Sequence, residues 1–366
     1  MVAGRDNRSR KRVTLKDVAE QAGVSLKTAS NVKNDWPYVS DETRQRVKQA
    51  MTELGYRPSL LARSLKIGRT MTMGVIVPDI SNPFFSTAFL GCEDELALHG
   101  YSAYLCNTVE NLDREQYYLN LLVNQGVDGI ILWGSRVSAE MLAECTRDDL
   151  PLVSVDGLAQ QSRPNLTLIN VDNFGGAEQI TLHLIRYGYT RIAYIYGASH
   201  RLPARQRLEG YRRALEQAGL PYDESLTLRS KPSISGGYCA TMELLPDQRP
   251  DALFCYNDLM AIGAIAAAEE LGLRVPGDLG VVGFDDILPA SLITPLLTTV
   301  CIPQYQLGRQ AALQLLERIE NPQAGPKTLL YPVELRIRNS CGTRIFGTDE
   351  RRELLHSLVS SHGMSP

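Results

Sequence analysis

The chain holds little that points to catalysis or to an oxidising compartment. Its five histidines among 366 residues are dispersed, and it contains no HExxH motif, no GxSxG elbow and no GxxxxGK[ST] loop. An enzyme is therefore not expected, and neither is a bound metal or cofactor. Cysteine is equally uninformative as a framework. Cys92, Cys106, Cys145, Cys239, Cys255, Cys301 and Cys341 are odd in number and never spaced as CxxC. They read as small buried hydrophobes in a reducing compartment, not as disulfides or a zinc site. The longest small-apolar run, Ala261 to Ala268, is too short to span a bilayer and continues into Glu269 and Glu270. The N-terminus is polar and basic and lacks the apolar segment of a secretory signal, so a cytoplasmic location and no membrane partner are expected.

What is present is an ordinary globular composition, 44% hydrophobic and 22% charged, long enough for two or three cores. The net charge of −3 hides an asymmetry. Residues 1–70 hold 15 Lys and Arg against 7 Asp and Glu, while the other 296 residues hold 23 against 34. A basic head on an acidic body suits a DNA-binding segment attached to a separate domain.

The stretch Thr14 to Asn34 gives that head a shape. Leu15, Val18, Ala19 and Ala22 recur at helical spacing, Gly23-Val24-Ser25 breaks the run, and Ala29 and Val32 mark a second short helix. This is the pattern of a helix-turn-helix. Thr14 is placed to cap the first helix, with Asp17 reaching back as a capping box, and Ser25 to cap the second. With Ala29 and Val32 inward, Leu26, Lys27, Ser30 and Asn31 face outward, as a recognition helix requires. After the turn Asp35-Trp36-Pro37-Tyr38, Ser40 caps a third helix, Asp41 to Leu54, with Val47, Ala50, Met51 and Leu54 inward and Gly55 as its stop. Residues 1–12 read as a disordered basic arm. Ser59 to Leu65 offers only two turns of helix, too short to be stable alone in water.

These motifs carry a resemblance. VTLKDVAEQAGVSLKTAS, VSDETRQRVKQAMTELGYRPSLLARSL and GVIVPDISNPFF, within residues 13–85, are similar to the N-terminal part of lactose-repressor (LacI/GalR) family transcription regulators, and the likeness continues more loosely to about residue 345. The resemblance implies that Leu26 and Lys27 contact bases or phosphates, and that Leu65 is a wedge driven into the minor groove by paired hinge helices. An apolar wedge of that kind unstacks a base step and kinks the duplex; plain hinge packing is the competing reading. The expected DNA-contacting set is Thr14, Ser25, Leu26, Lys27, Ser30, Asn31, Tyr56 and Leu65. Asn31 stands where relatives carry Arg, Lys33 where they carry an apolar residue and Ser59 where they carry Asn. Because Asn pairs with adenine and Arg with guanine, Asn31 implies a different operator, not a loss of binding.

The body alternates strand-like and helix-like segments. Strands are expected at Met73–Val77, Ser102–Cys106, Gly129–Trp133, Leu152–Val155, Ile192–Tyr196, Ala252–Cys255 and Leu279–Gly283, nearly all continuous apolar runs of the kind buried in parallel sheets. Helices are expected at Ala88–His99, Asp113–Gln125, Ala177–Arg186, Arg205–Ala218 and Leu259–Leu271. The fold class expected is an all-α helix-turn-helix headpiece plus a two-lobed α/β domain, like a periplasmic binding protein, with two parallel doubly wound sheets. The domains then run as arm 1–12, headpiece 13–58, hinge 59–70, effector-binding and dimerisation domain 71–345, and tail 346–366. By the resemblance one lobe comprises 71–170 with 301–330, and the other 171–300 with 331–345.

In doubly wound sheets a ligand lies beyond the C-terminal strand ends. Asp79 to Phe85, Asp156, Asn257-Asp258 and Asp285-Asp286 occupy such places, and Arg207, in RLEG, stands where the family carries its effector-contacting arginine. The expected effector site is Asn82, Phe84, Phe85, Asp156, Arg207, Asn257 and Asp285, with the phenylalanines offering flat apolar surface to a ring. Alternatives stand beside several of these positions and their neighbours. Asp258 and Asp286 suit helix caps, the phenylalanines suit lobe core, and Arg207 with Asp285 suits a structural ion pair between lobes. Ile302 stands where relatives place a polar effector contact.

The reading is a sequence-specific DNA-binding regulator, a repressor, working as a homodimer on a near-palindromic double-stranded operator. Its effector is a small molecule between the lobes: a sugar, sugar acid or phosphosugar. Leu354, Leu355 and Leu358 leave a tetramer as the lesser alternative to a frayed tail. The other class considered is a solute-binding protein without a DNA role, and after it an enzyme with an appended regulatory head.

Overall fold

The computed structural model describes residues 13–57, 68–147, 149–157, 163–197 and 201–342; Ser59 and Leu65, the basic arm and the tail lie outside them. The chain divides into two compact units, Met1–Thr70 and Met71–Pro366.

In the first unit α1 (Leu15–Gln21), α2 (Leu26–Lys33) and α3 (Asp41–Glu53) enclose a core of Val18, Ala19, Ala22, Ala29, Val32, Val47 and Ala50. Each start is capped as its sequence dictates. Thr14 and Asp17 form the full capping box, and the Ser25 and Ser40 hydroxyls accept from the backbone N–H groups of Thr28 and Thr43. Gly23 turns the chain after α1 at φ +64°, where a side chain would be strained.

In the second unit the elements run β1 (Thr72–Val77), α4 (Pro83–Leu98), β2 (Ser102–Asn107), α5 (Leu112–Gln125), β3 (Gly129–Trp133), α6 (Ala139–Cys145), β4 (Leu152–Val155), β5 (Leu166–Val171), α7 (Asn173–Arg186), β6 (Ile192–Tyr196) and α8 (Leu202–Gln217). They continue with β7 (Thr227–Arg229), α9 (Ile234–Gln248), β8 (Ala252–Cys255), α10 (Asp258–Glu270), β9 (Gly280–Asp285), β10 (Thr298–Cys301), α11 (Gln304–Glu320), β11 (Lys327–Tyr331) and β12 (Glu334–Arg336). Two six-stranded sheets result, β11-β5-β4-β3-β1-β2 in an N-terminal lobe and β12-β10-β9-β8-β6-β7 in a C-terminal lobe. Neighbouring strands are parallel except for β10 with β12. The chain passes between lobes three times, after Val171, after Cys301 and after Tyr331.

Every strand expected from an apolar run forms, with ends shifted by at most two residues. Five that lack such a signal also form: β5, β7, β10, β11 and β12. β7 and β12 are three residues long, and β11 shows alternating exposure at a sheet edge, so none carries a continuous apolar run. β5 and β10 are buried, but Thr167, Asn170, Thr298 and Thr299 interrupt their apolar character. Helix α9 is hidden by glycines that local propensity disfavours. Packing explains them: a Cβ on Gly237 would lie 2.0 Å from the Met260 carbonyl oxygen, so α9 and α10 meet only without one.

Candidate functional site

In the headpiece, Leu26 and Lys27 are exposed at the start of α2, while Ser30 and Asn31 are half-buried one turn further on. The Thr14 and Ser25 hydroxyls are already engaged, with Asp17 at 2.8 Å and with the Thr28 hydroxyl at 2.8 Å. Tyr56 packs against the headpiece core with its side chain partly open.

The second unit contains a cleft of about 850 Å³, its open mouth included, walled by the C-terminal strand ends of both lobes. All seven residues expected from the sequence line it: Asn82, Phe84, Phe85, Asp156, Arg207, Asn257 and Asp285. Winding explains the convergence, because each parallel strand delivers its following loop to the same edge. Asn82 and Asn257 also cap α4 and α10, accepting from the N–H groups of Phe84 and Met260 at 3.0 Å each.

Arg207 is the centre of the polar network. It reaches from α8, buried, with its guanidinium carbon 3.6 Å from the Phe284 ring centroid and 4.6 Å from that of Tyr256. Its Nε donates to Asn173 at 2.9 Å, one terminal nitrogen to Asp285 at 3.3 Å, and the other to the Tyr256 carbonyl. Asn173 in turn donates to Asp156 at 2.9 Å, and the Val171 N–H donates to the other Asp156 oxygen at 2.6 Å. Lost hydration outweighs these favourable contacts, so burial pushes Asp285 up to about 7 and Asp156 up to about 6. Both residues hold left-handed backbone, at φ +113° and +49°, as do Val109, Glu110 and Asp286 near the same edge. Strain of this kind in non-glycine residues concentrates where a site must be pre-shaped.

Phe84, Phe85 and Trp133 form an edge-to-face cluster on the opposite wall, with centroid separations of 5.1, 6.1 and 6.5 Å. Phe84 is at once lobe core and cleft lining. The Arg207–Asp285 pair does not bridge lobes, since α8 and β9 both belong to the C-terminal lobe. That role falls to Arg201, which donates to the Gly134 carbonyl at 2.6 Å and to the Glu110 carboxylate, both in the N-terminal lobe. Nor are Asp258 and Asp286 helix caps. Asp258 accepts from the Ile287 N–H and the Thr299 hydroxyl behind the sheet, and Asp286 pairs with Arg338 at 2.6 Å. Ile302 is buried away from the cleft lining.

Several lining residues escaped the sequence reading. Trp133 and Tyr256 sit at strand ends already identified, and applying the strand-end rule to aromatic as well as polar residues finds them. Asp79 lies just past the end of β1, in the same stretch as Asn82, Phe84 and Phe85. Glu110 follows the end of β2 and answers to the same rule, whereas Arg201 and Lys231 follow no strand expected from the sequence or lie well past one.

Among the described residues no helix is long and apolar enough to cross a membrane, and no group of histidine, cysteine or carboxylate side chains is arranged to hold a metal ion. Residues 14–59 match the model of bacterial regulatory proteins of the lacI family, and residues 70–339 that of periplasmic binding proteins and the sugar binding domain of the LacI family. The HTH-type transcriptional repressor PurR of Aliivibrio fischeri (strain ATCC 700601 / ES114) is 34% identical over 336 residues, 91% of this chain and 99% of that protein. PurR of Proteus mirabilis (strain HI4320) is 38% identical over 330 residues, 89% and 96% of the two chains. Among solved structures, the Lac repressor dimer bound to operator and the anti-inducer ONPF superposes with a TM-score of 0.78 at 30% identity, covering 90% of this chain and 99% of that one. A complex of the transcriptional regulator CelR with cellobiose gives 0.67 at 33% identity, covering 90% and 100%. The chain therefore belongs to the LacI family of bacterial regulatory proteins, DNA-binding transcriptional repressors with a small-molecule-binding domain, and not to a family of enzymes.

Proposed function

We propose that this repressor is controlled by a sugar bound between its lobes, through the seven residues that converge on the cleft. That convergence is the observation that carries the reading. The aromatic cluster offers a flat face to a sugar ring, while Asp156, Asp285, Asn82 and Asn257 offer acceptors and donors to its hydroxyls. Arg201 and Arg207 are already engaged by protein acceptors, and Lys231 is a third cation lining the cleft, so the charge of the sugar is left to the screen below. The solved relative with cellobiose supports the same class.

Leu26, Lys27, Ser30 and Asn31 read the major groove, with Thr14, Ser25 and Tyr56 completing the contact surface. Leu65, outside the described residues, is the minor-groove wedge. The chain works in the cytoplasm as a homodimer on a near-palindromic operator. Lobe angle couples sugar to DNA reciprocally, at about 1–3 kcal/mol as is typical of such linkage.

Three experiments test this. A ligand at 100 times its dissociation constant adds about 2.7 kcal/mol to the folded state, so a thermal-shift screen of sugars, sugar acids and nucleobases identifies the class. Arg207→Ala is expected to abolish that shift and the effector response while leaving operator affinity without effector unchanged; a response that survives removes Arg207 from the site. Leu65→Ala is expected to weaken specific operator binding far more than salt-sensitive nonspecific binding. Equal losses in both would discard the wedge.

A further inference from the structure

The headpiece exposes two aromatic side chains together, just past the end of α2. Trp36 is 53% and Tyr38 87% exposed, and their ring centroids lie 6.1 Å apart. Large aromatics are seldom left in water as a pair without a partner. The turn that carries them is also held rigid. The Trp36 N–H donates to the Asn31 carbonyl at 2.9 Å, tying the turn to the last part of α2. Arg44 on α3 donates to the Trp36 carbonyl at 2.7 Å and pairs with Asp35 at 3.3 Å. Asp35 takes φ +52°, and Pro37 between the two rings fixes its own φ. Arg44 is thereby spent on shaping the turn instead of meeting a phosphate.

We propose that the Trp36-Pro37-Tyr38 turn is a second DNA-contacting surface, its rings packing on the deoxyribose of the duplex backbone beside the groove that α2 enters. The turn is continuous with Ser30 and Asn31 on α2 and adjoins Lys33 in the last helical turn, so the apolar pair lies next to groups that meet DNA. It rests on DNA binding by the headpiece. Because the rings are held in place before binding, contact costs little side-chain entropy. The contact reads no bases, so it adds affinity without specificity, and without the salt dependence of a phosphate contact.

The test uses the full-length chain and a duplex of arbitrary sequence, since backbone packing is indifferent to sequence. Trp36→Ala with Tyr38→Ala is expected to lower affinity about tenfold, the cost of truncating buried aromatic anchors, with the slope of log affinity against log salt unchanged. Trp36→Phe with Tyr38→Phe, which keeps both ring faces, is expected to bind like the wild type and controls for folding. The chain holds two tryptophans, so duplex-induced quenching of indole emission in the wild type should be lost in Trp36→Phe. The proposal is overturned by an alanine pair that binds normally, by a loss with a shallower salt slope, or by quenching that survives Trp36→Phe. Failure of the wild type to bind any duplex would instead overturn the DNA-binding reading beneath it.

Discussion

Asp285 and Asp156 are acids that the fold holds partly protonated near neutrality, and the sign of the consequence is fixed. A carboxyl whose folded pKa is raised binds its proton more tightly when folded, so the stability it lends is complete below the ordinary carboxylate range and is lost as pH rises. For Asp285 the loss ends near pH 7 and for Asp156 near pH 6. Asp285→Asn, which mimics the protonated form, is expected to gain stability on the wild type as pH rises from about 5 to about 8, with a slope of at most about 1.4 kcal/mol per pH unit. Denaturant unfolding across that range reads the difference, and parallel curves would show that Asp285 does not titrate there. Burial, the larger cause of both shifts, has no local signature. Residue identity at these positions was legible from the strand-end rule; the electrostatics were not, because they depend on Phe284 and Tyr256 closing over Arg207.

Between elements, an informative contact is the ion pair that joins the lobes across the cleft. Arg201 precedes α8 without a side-chain hydrogen bond capping that helix, and its guanidinium instead reaches Glu110 and the Gly134 carbonyl. Glu110 is itself held by Arg136, which donates to its carbonyl at 2.6 Å. The pair's side chains are 10% and 28% exposed, and Glu110→Gln removes the charge while keeping an oxygen that can accept from Arg201. Glu110→Gln should therefore leave the melting temperature almost unmoved while speeding amide hydrogen exchange in the loops that follow β2 and β3. Unchanged exchange would mean that the Arg201–Glu110 pair does not restrain those loops.

For the molecule as a whole, β2 presents an edge that solvent alone does not explain. Tyr104 and Leu105 are exposed on it, and Leu98 and Val109 are exposed on either side. An apolar sheet edge invites pairing with another chain, so this edge is where the homodimer proposed above can be tested. Leu105→Glu is expected to convert a dimer to a monomer in sedimentation velocity and to weaken operator binding in parallel; a dimer that persists would move the interface elsewhere.

Local chemistry in the chain sufficed for the headpiece and the strand edges. Caps, a turn glycine and helical spacing act within a few residues, so Thr14, Ser25 and Gly23 announce their helices unaided. The apolar runs announce the central strands, and the rule for doubly wound sheets then names Asp156, Asn257 and Asp285. Folding in three dimensions decided the rest. Arg201 meets Glu110 across 91 positions of sequence, Arg207 pairs within a lobe and not between lobes, and α9 tolerates its glycines because α10 lies against them. These depend on distances between segments far apart in the chain, which no short-range pattern of residues encodes.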